Sequence, residues 1–351
     1  MARISVHIVS WNHARVLRDA VDSLRAQTFK DFTLTVVDNA STDGSVDVVR
    51  SGFPEATILR NFKNLGFSHA HNQAVELARN RWSDDDKKGR SSIDRYALVM
   101  NPDIILQPDF LENLVRGIDG RYEIGSACGK LLKVYPRLEE EGDPRRSDVL
   151  DSAGLRMRRD RRAADRGAGE TDGPAYAEPT EIFGPSGALA LYRAEAIESL
   201  READGEFYDE DFFAYKEDVD AAWRLRLLGW KSLYIPSATA YHYRGTGGSE
   251  KVGLLELFKR RRGRSPLVNR LSTRNHVLLL VKDDDRLNQL LHLPWILAHE
   301  IGKLLSTIFF APRALGAYFE ALGLVPKMWK KRASLRKRRK ATAKEMRKWF
   351  R

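Results

Sequence analysis

Three carboxylates fall within four residues of "FFAYKEDVDAAWRLRLLGW", Phe212 to Trp230: Glu217, Asp218 and Asp220. They stand where a helical pattern begins, with Val219, Ala222, Trp223 and Arg226 on one stripe and Leu225 and Leu228 beside it. Negative charge in a first helical turn is favoured by the helix dipole, by about 0.3–1 kcal/mol per group. Two adjacent carboxylates plus a third exceed that need, because like charges so close raise one another's pKa. A carboxylate in this setting, kept ionised by the dipole, can act as a general base.

Other polar residues end apolar runs. They are Asn12 after Trp11, the pair Asp38-Asn39, Asn101-Pro102-Asp103, and His242 in "ATAYHYRGTGGS". In open α/β sheets, ligands bind beyond the carboxyl ends of the strands. Turn chemistry accounts for each alone; together they aim amides and carboxylates at one edge of one sheet. Asp103 suits a hard cation, since Mg²⁺ takes one or two carboxylates along with phosphate oxygens and water. Pairing with the dipole of "QPDFLENLVRGI" is the competing role for Asp103, and Asp109 can fill that instead. His242 read alone is an ordinary strand-end histidine. His69 and His71, two apart on a helix, point in different directions and make a poor metal pair.

Those residues need elements to hold them. Short apolar runs, "ISVHIVSW", "TLTVVDN", "ATILRNF", "YALVMNP" and "IGSACGKLL", alternate with helical patterns from Ile4 to Leu132, which predicts βαβ units and a mostly parallel sheet. Strand patterns resume in "TEIFGPSGALALYR" and "WKSLYIPSATAYHY". Ahead of both, residues 135–179 are rich in Arg, Asp, Glu, Gly and Pro, and read as an irregular insertion with room for a short hairpin. The composition shifts near Gly253, dividing the chain into residues 1–252 and a helical, basic region 253–351. No G-x-G-x-x-G follows a strand, "GSACGK" lacks the Walker A spacing, and "HEIGK" lacks the second histidine of a zincin, leaving His299 and Glu300 as a polar helix face.

The 351 residues carry a formal net charge of +11, much of it after Leu254. One cysteine, Cys128, excludes an internal disulfide framework and suits a reducing compartment. The start "MARISVHIVSWN" lacks the apolar stretch of a secretory signal, and no window reaches about 18 uninterrupted apolar residues, so neither a signal peptide nor a transmembrane helix is expected.

Taken in order, "VSWN", "VVDNASTDGS", "NLGFSHAHN", "NPD", "GPSGALALYR", "FFAYKEDVDAAWRLRLLGW" and the later His242 resemble the family 2 glycosyltransferases of GT-A fold, most closely the bacterial rhamnosyltransferases. The resemblance runs from Ile4 to about Gly248. It implies an α/β, Rossmann-like domain and an inverting sugar transfer. Asp38 would bind the nucleotide base, with Ser10 and Asn12 beside it, and Asn64, Gly66, Phe67 and Asn72 would line the nucleotide pocket. Asn101 and Asp103 stand for the family's Asp-x-Asp, so Asp103, joined by His242, would hold Mg²⁺ or Mn²⁺ on the diphosphate. Asn101 replaces the first aspartate and supplies no charged ligand. Asp218 would be the base with Glu217 next to it, and Ser186 and Gly187 would let backbone approach the sugar. The implied donor is dTDP-rhamnose, and the implied acceptor is N-acetylglucosamine on a polyprenyl diphosphate, in cell-wall or surface-polysaccharide synthesis. Other classes are a family 2 enzyme using a UDP-sugar, a nucleotidyltransferase, and an inactive membrane scaffold.

The segment from Leu287 to Val325 is Leu-rich, and a Lys/Arg cluster carrying Trp329, Trp349 and Phe350 follows it. Apolar helices next to basic clusters bind anionic membrane surfaces. Peripheral attachment to the cytoplasmic face of the plasma membrane is therefore expected. Without a recognition module, no nucleic-acid partner is expected. An oligomer stays open, and Arg158, Arg159, Arg161 and Arg162 are candidates for an acceptor diphosphate.

Overall fold

The computed structural model describes residues 2–88, 94–135, 144–201, 205–243 and 265–351. The glycine-rich residues after His242 and the boundary near Gly253 lie outside them. The chain begins with β1 (Ile4–Ser10), α1 (Ala14–Arg25), β2 (Phe32–Asp38), α2 (Ser45–Gly52), β3 (Thr57–Arg60), α3 (Phe67–Lys87) and β4 (Tyr96–Met100). These four strands lie side by side in the order β4-β1-β2-β3, all parallel. Helices cover both faces, so β1 and β4 are buried along nearly their whole length, with Ser5 and His7 of β1 enclosed among apolar residues. The first half of the expectation holds.

The second half is mixed. After β5 (Ile104–Leu106), α4 (Phe110–Ile118) and β6 (Ile124–Tyr135) come β7 (Arg145–Ser152), β8 (Leu155–Met157), β9 (Ala163–Asp165), β10 (Thr180–Glu181) and β11 (Leu189–Arg193). Strand β11 runs antiparallel between β4 and β6, and β12 (Lys231–Tyr243) pairs parallel with β6. The sheet has ten strands among the described residues.

The segment read as an irregular insertion is ordered where it is described. Strand β7 extends the sheet on β6 and β8–β9 form a hairpin. Leu150, Ala153, Leu155 and Met157 are buried there. Alternation across its few apolar positions is masked by the surrounding Arg and Asp, which left no period to read.

Helices α5 (Ala194–Leu200) and α6 (Glu217–Leu227) precede β12, and α7 (Pro266–Lys282), α8 (Arg286–Leu291), α9 (Leu293–Phe310), α10 (Gly316–Arg338) and α11 (Ala343–Arg347) follow it. Leu278, Leu279, Ala321, Met328, Leu335, Met346 and Phe350 join one apolar cluster with Phe183 and Trp223. The ring of Phe350 lies 5.4 Å from Trp223, and Trp349 stacks near Phe183. Of these two aromatics, expected at a membrane, Phe350 is a core residue and Trp349 packs half-buried against that core. With this cover α6 is buried nearly all round, and its Arg224 and Arg226 donate to the carbonyls of Leu200, Phe207, Ile182 and Phe183.

Candidate active site

Parallel pairing sets Ser10 opposite Asp38 at the carboxyl ends of β1 and β2. Asp38 is buried; its Oδ1 accepts from the Ser41 N–H at 3.2 Å, whereas Oδ2 has no hydrogen-bond partner and only Arg60 within 3.6 Å. The Ser10 hydroxyl is likewise buried and unpartnered. Asn12, held at φ 59°, accepts from the Thr42 N–H through its side-chain oxygen at 2.8 Å. Asn39, read in the sequence only as a polar strand end beside Asp38, donates to Asn64 and to the Gly66 carbonyl, tying this edge to the start of α3.

Gly66 has φ 86°, and a Cβ there would sit 2.6 Å from the Phe213 carbonyl oxygen and ring. Only glycine fits both constraints. Phe67 then opens α3 with its ring 4.2 Å from His71. Asn72 does something other than line a pocket: its amide donates to the Tyr208 carbonyl and to Glu210 and accepts from the Tyr208 N–H. His69 pairs with Glu210 at 2.7 Å, and His71 is buried, so the two do not converge.

The antiparallel entry of β11 brings a third stretch to the same edge. The Asn101 N–H donates to the Ala188 carbonyl at 2.8 Å, so Ser186 and Gly187 lie alongside Asn101. Gly187 N–H in turn donates to Asp218 Oδ2 at 2.9 Å, and a Cβ on Gly187 would press on Asp218 at 3.0–3.3 Å. The two ends of the expected site, Asp103 and Asp218, are thus linked through one strand start.

Asp103 faces His242, with Oδ1 3.2 Å from Nε2. On the far side of the ring Nδ1 lies 2.7 Å from Asp151. Burial opposes charge on both groups, but each offsets it for the other: the carboxyl of Asp103 is held below its usual value, and its hydrogen bond, with that of Asp151, raises His242 to about 9. Asp151 had no sequence signal, because its pairing spans the insertion.

Asp218 is half-buried at the head of α6 and accepts from the Val219 N–H as well as from Gly187. Burial raises its pKa, and burial together with the Asp218 charge pushes Glu217 up to about 8. The two therefore titrate as one pair that keeps a proton above the ordinary carboxylate range. Asp220 is not part of the site: it is fully buried between Arg224 and Lys282.

Three residues leading into α6, Phe213, Tyr215 and Lys216, have φ of 61°, 70° and 73°. Such backbone persists only where its surroundings fix it. Asn275 on α7 does so, donating to the carbonyls of Phe212, Ala214 and Tyr215 at 2.7–2.9 Å. A buried carbonyl left without a donor costs about 1–3 kcal/mol. Asn275→Ala is therefore expected to lower Tm and to reduce kcat while the donor KM holds, as read by calorimetry and steady-state kinetics.

An edge of this kind, with acidic and amide groups at parallel strand ends facing a helix-borne carboxylate, belongs to enzymes that act on nucleotide-activated groups. The model of Glycosyl transferase family 2 matches residues 5–201, and the chain belongs to that family, with its GT-A fold. It is a glycosyltransferase. Its sequence is 26% identical over 252 residues to N-acetylglucosaminyl-diphospho-decaprenol L-rhamnosyltransferase from Mycobacterium tuberculosis, covering 69% of this chain and 76% of that one. It is also 26% identical over 181 residues to rhamnosyltransferase WbbL from Escherichia coli, covering 51% of this chain and 61% of that one. Among solved structures, the mannosyltransferase PcManGT from Pyrobaculum calidifontis in complex with GDP-Man and Mn²⁺ aligns with a TM-score of 0.48 at 18% identity, covering 96% of this chain and 85% of that one.

Proposed function

We propose that the protein is an inverting transferase moving L-rhamnose from dTDP-rhamnose onto a sugar, N-acetylglucosamine, carried on a polyprenyl diphosphate at the cytoplasmic face of the plasma membrane. The observation that carries the reading is the placing of Asp218, aimed by Gly187 N–H, at the sheet edge that also holds Asp103. The named activity of the mycobacterial relative supports the donor sugar and acceptor.

Asp38, with its unpartnered oxygen, and Ser10 would receive the base of the nucleotide, while Asn12, Asn64, Gly66 and Phe67 shape the walls. Asn72 acts by fixing the loop before α6 rather than by touching the nucleotide. The acceptor hydroxyl oxygen attacks the anomeric carbon, its proton passes to Asp218, and the bond from that carbon to the diphosphate breaks, releasing nucleoside diphosphate. Glu217 lies beside Asp218, and the proton that the pair keeps spares the site a second charge.

The residues fit a divalent cation. Asp103 Oδ1 is buried and faces His242 Nε2 at 3.2 Å, and Asp151 anchors the far side of the ring, the support a ligating histidine needs once a cation displaces the proton between Nε2 and Asp103. Asp103 and His242 would hold Mg²⁺ or Mn²⁺, which when bound neutralises charge on the leaving diphosphate. The test is nucleoside diphosphate release from a panel of dTDP-, UDP- and GDP-sugars, with a polyprenyl-diphosphate-sugar acceptor and either metal. Acceptor-dependent release from dTDP-rhamnose alone is expected; release from a UDP-sugar instead would overturn the donor.

Attachment to an anionic membrane rests on α9. Trp295, Ile301, Leu304, Leu305, Ile308 and Phe309 are each at least 40% exposed, and Leu290, Phe319 and Leu322 extend that apolar surface. No helix among the described residues is long and apolar enough to cross a membrane. Burial of α9 in one leaflet by apolar contact fits this pattern better than a basic tail, whose Met328, Leu335 and Phe350 are core. Ile301→Glu with Phe309→Glu is expected to leave the protein in the supernatant after sedimentation with acidic liposomes, where the wild type pellets.

A further inference from the structure

Helix α9 is turned inside out. Its exposed surface is apolar, whereas its polar side chains His299, Glu300 and Lys303 share the inner stripe with Ile296 and Thr307. That stripe meets α7 and the loop before α6. His276 Nε2, 2% exposed by residue, lies 2.9 Å from Glu300 Oε1, the His276 and His299 rings meet edge-on with centroids 5.3 Å apart, and Lys303 Nζ is 4.0 Å from Glu300 Oε2. Lys216, one residue before Glu217, is in electrostatic range of Glu300, Asp218 and Arg162.

His276, His299 and Glu300 offer ligand atoms within 4.8 Å of one another, close enough for a cation. The surrounding charge argues otherwise. Arg158, Arg162, Lys216 and Lys303 stand against Glu300, Asp160 and, beside Lys216, the Glu217–Asp218 pair, and Asp160 is already engaged by both arginines. Burial also keeps His276 and His299 neutral, so each ring can donate one N–H without adding charge. A partly open cluster with an excess of cations and neutral donors selects an anion.

We propose that Lys216, Lys303, Arg162 and His299 form a phosphate-binding site, in which the diphosphate of the acceptor is held between the lipid-facing helix and the Glu217–Asp218 pair. The assignment to the acceptor rests on the lipid-linked reading above; the anion site itself does not. One helix then serves both needs, its outer face in the leaflet and its inner stripe on the head group that the leaflet delivers. The sugar beyond that diphosphate reaches the base without leaving the membrane surface.

Two measurements test the proposal on the full-length protein. Calorimetry with inorganic pyrophosphate in excess chelator is expected to show binding that Lys303→Gln with Arg162→Gln abolishes; no binding to the wild type overturns the site. A stabilising Zn²⁺ complex lost in His299→Ala would overturn it in favour of a metal. In steady-state transfer, the same double variant is expected to raise the acceptor KM about ten-fold or more while the donor KM holds. Unchanged acceptor KM, or displacement of pyrophosphate by phosphatidylglycerol vesicles as well as by polyprenyl diphosphate, overturns the acceptor assignment. Pyrophosphate binding without transfer to any lipid-linked sugar would instead fault the reading of the reaction and leave the anion site standing.

Discussion

Asp218→Asn is expected to lower kcat by about 10²–10⁴-fold, the usual contribution of a positioned general base. Binding of the nucleotide sugar should persist, because Asp38 and Ser10 end β2 and β1 and Asp103 sits in the turn before β5, all outside α6. The amide can still accept from Gly187 N–H, so the fold of the site is kept while the proton acceptor is gone. In the wild type the base must be ionised, and burial raises its pKa, so kcat should climb with pH across a window displaced upward from that of an ordinary aspartate. Glu217 titrates close by, near 8, and the rise belongs to the pair rather than to one residue. Glu217→Gln removes that coupling and is expected to move the limb to lower pH. A variant Asp218→Asn with near-wild-type turnover would end the assignment.

Lys282→Met should have the largest effect on stability. Lys282 Nζ lies 2.7 Å from both Asp209 and Asp220, all three fully buried, and Lys331 and Arg224 complete the array at 2.6 Å and 2.7 Å. Removing one member of a buried ion network leaves an uncompensated charge, at about 3–5 kcal/mol. Burial opposes the charge on Asp209, but Lys282 and Lys331 hold its pKa far below the ordinary 3.8. Its stabilisation is therefore fully present above that ordinary value and is lost only as pH falls through the depressed one. In the variant Asp209 can take up a proton earlier, so the difference in Tm between the two proteins should narrow on acidification. A constant difference from pH 7 to 4, followed by thermal unfolding, would show that packing rather than charge dominates.

The parallel half of the sheet was readable because short, mainly apolar runs alternate there with helical periods and end in turn residues. Asp38 and Asp103 stood out because polar residues end such runs, and Asp218 because three carboxylates crowd one helix start. Strand β11 gave no hint of its direction: "LALYR" reads the same parallel or antiparallel, and only its direct insertion between β4 and β6 decides. His299 and Glu300 were legible as a polar helix face, but such a pattern does not say whether that face meets water or protein. Arg161 shows the same limit. Amid "RRDRR" it looks solvated, yet it is fully buried against Asp284, 123 positions later, with its guanidinium 3.8 Å from the ring of Phe350.

The seat of Phe350 beneath Trp223 also sets an order of assembly. The parallel strands and their helices meet partners close in sequence and can condense early, whereas α6 waits for side chains more than a hundred positions downstream. A nascent chain can thus possess its nucleotide-facing edge while the base helix is still uncovered, with Asp209 and Asp220 lacking their cations. The helix head that bears Asp218 would then take its final surroundings in a single late docking event.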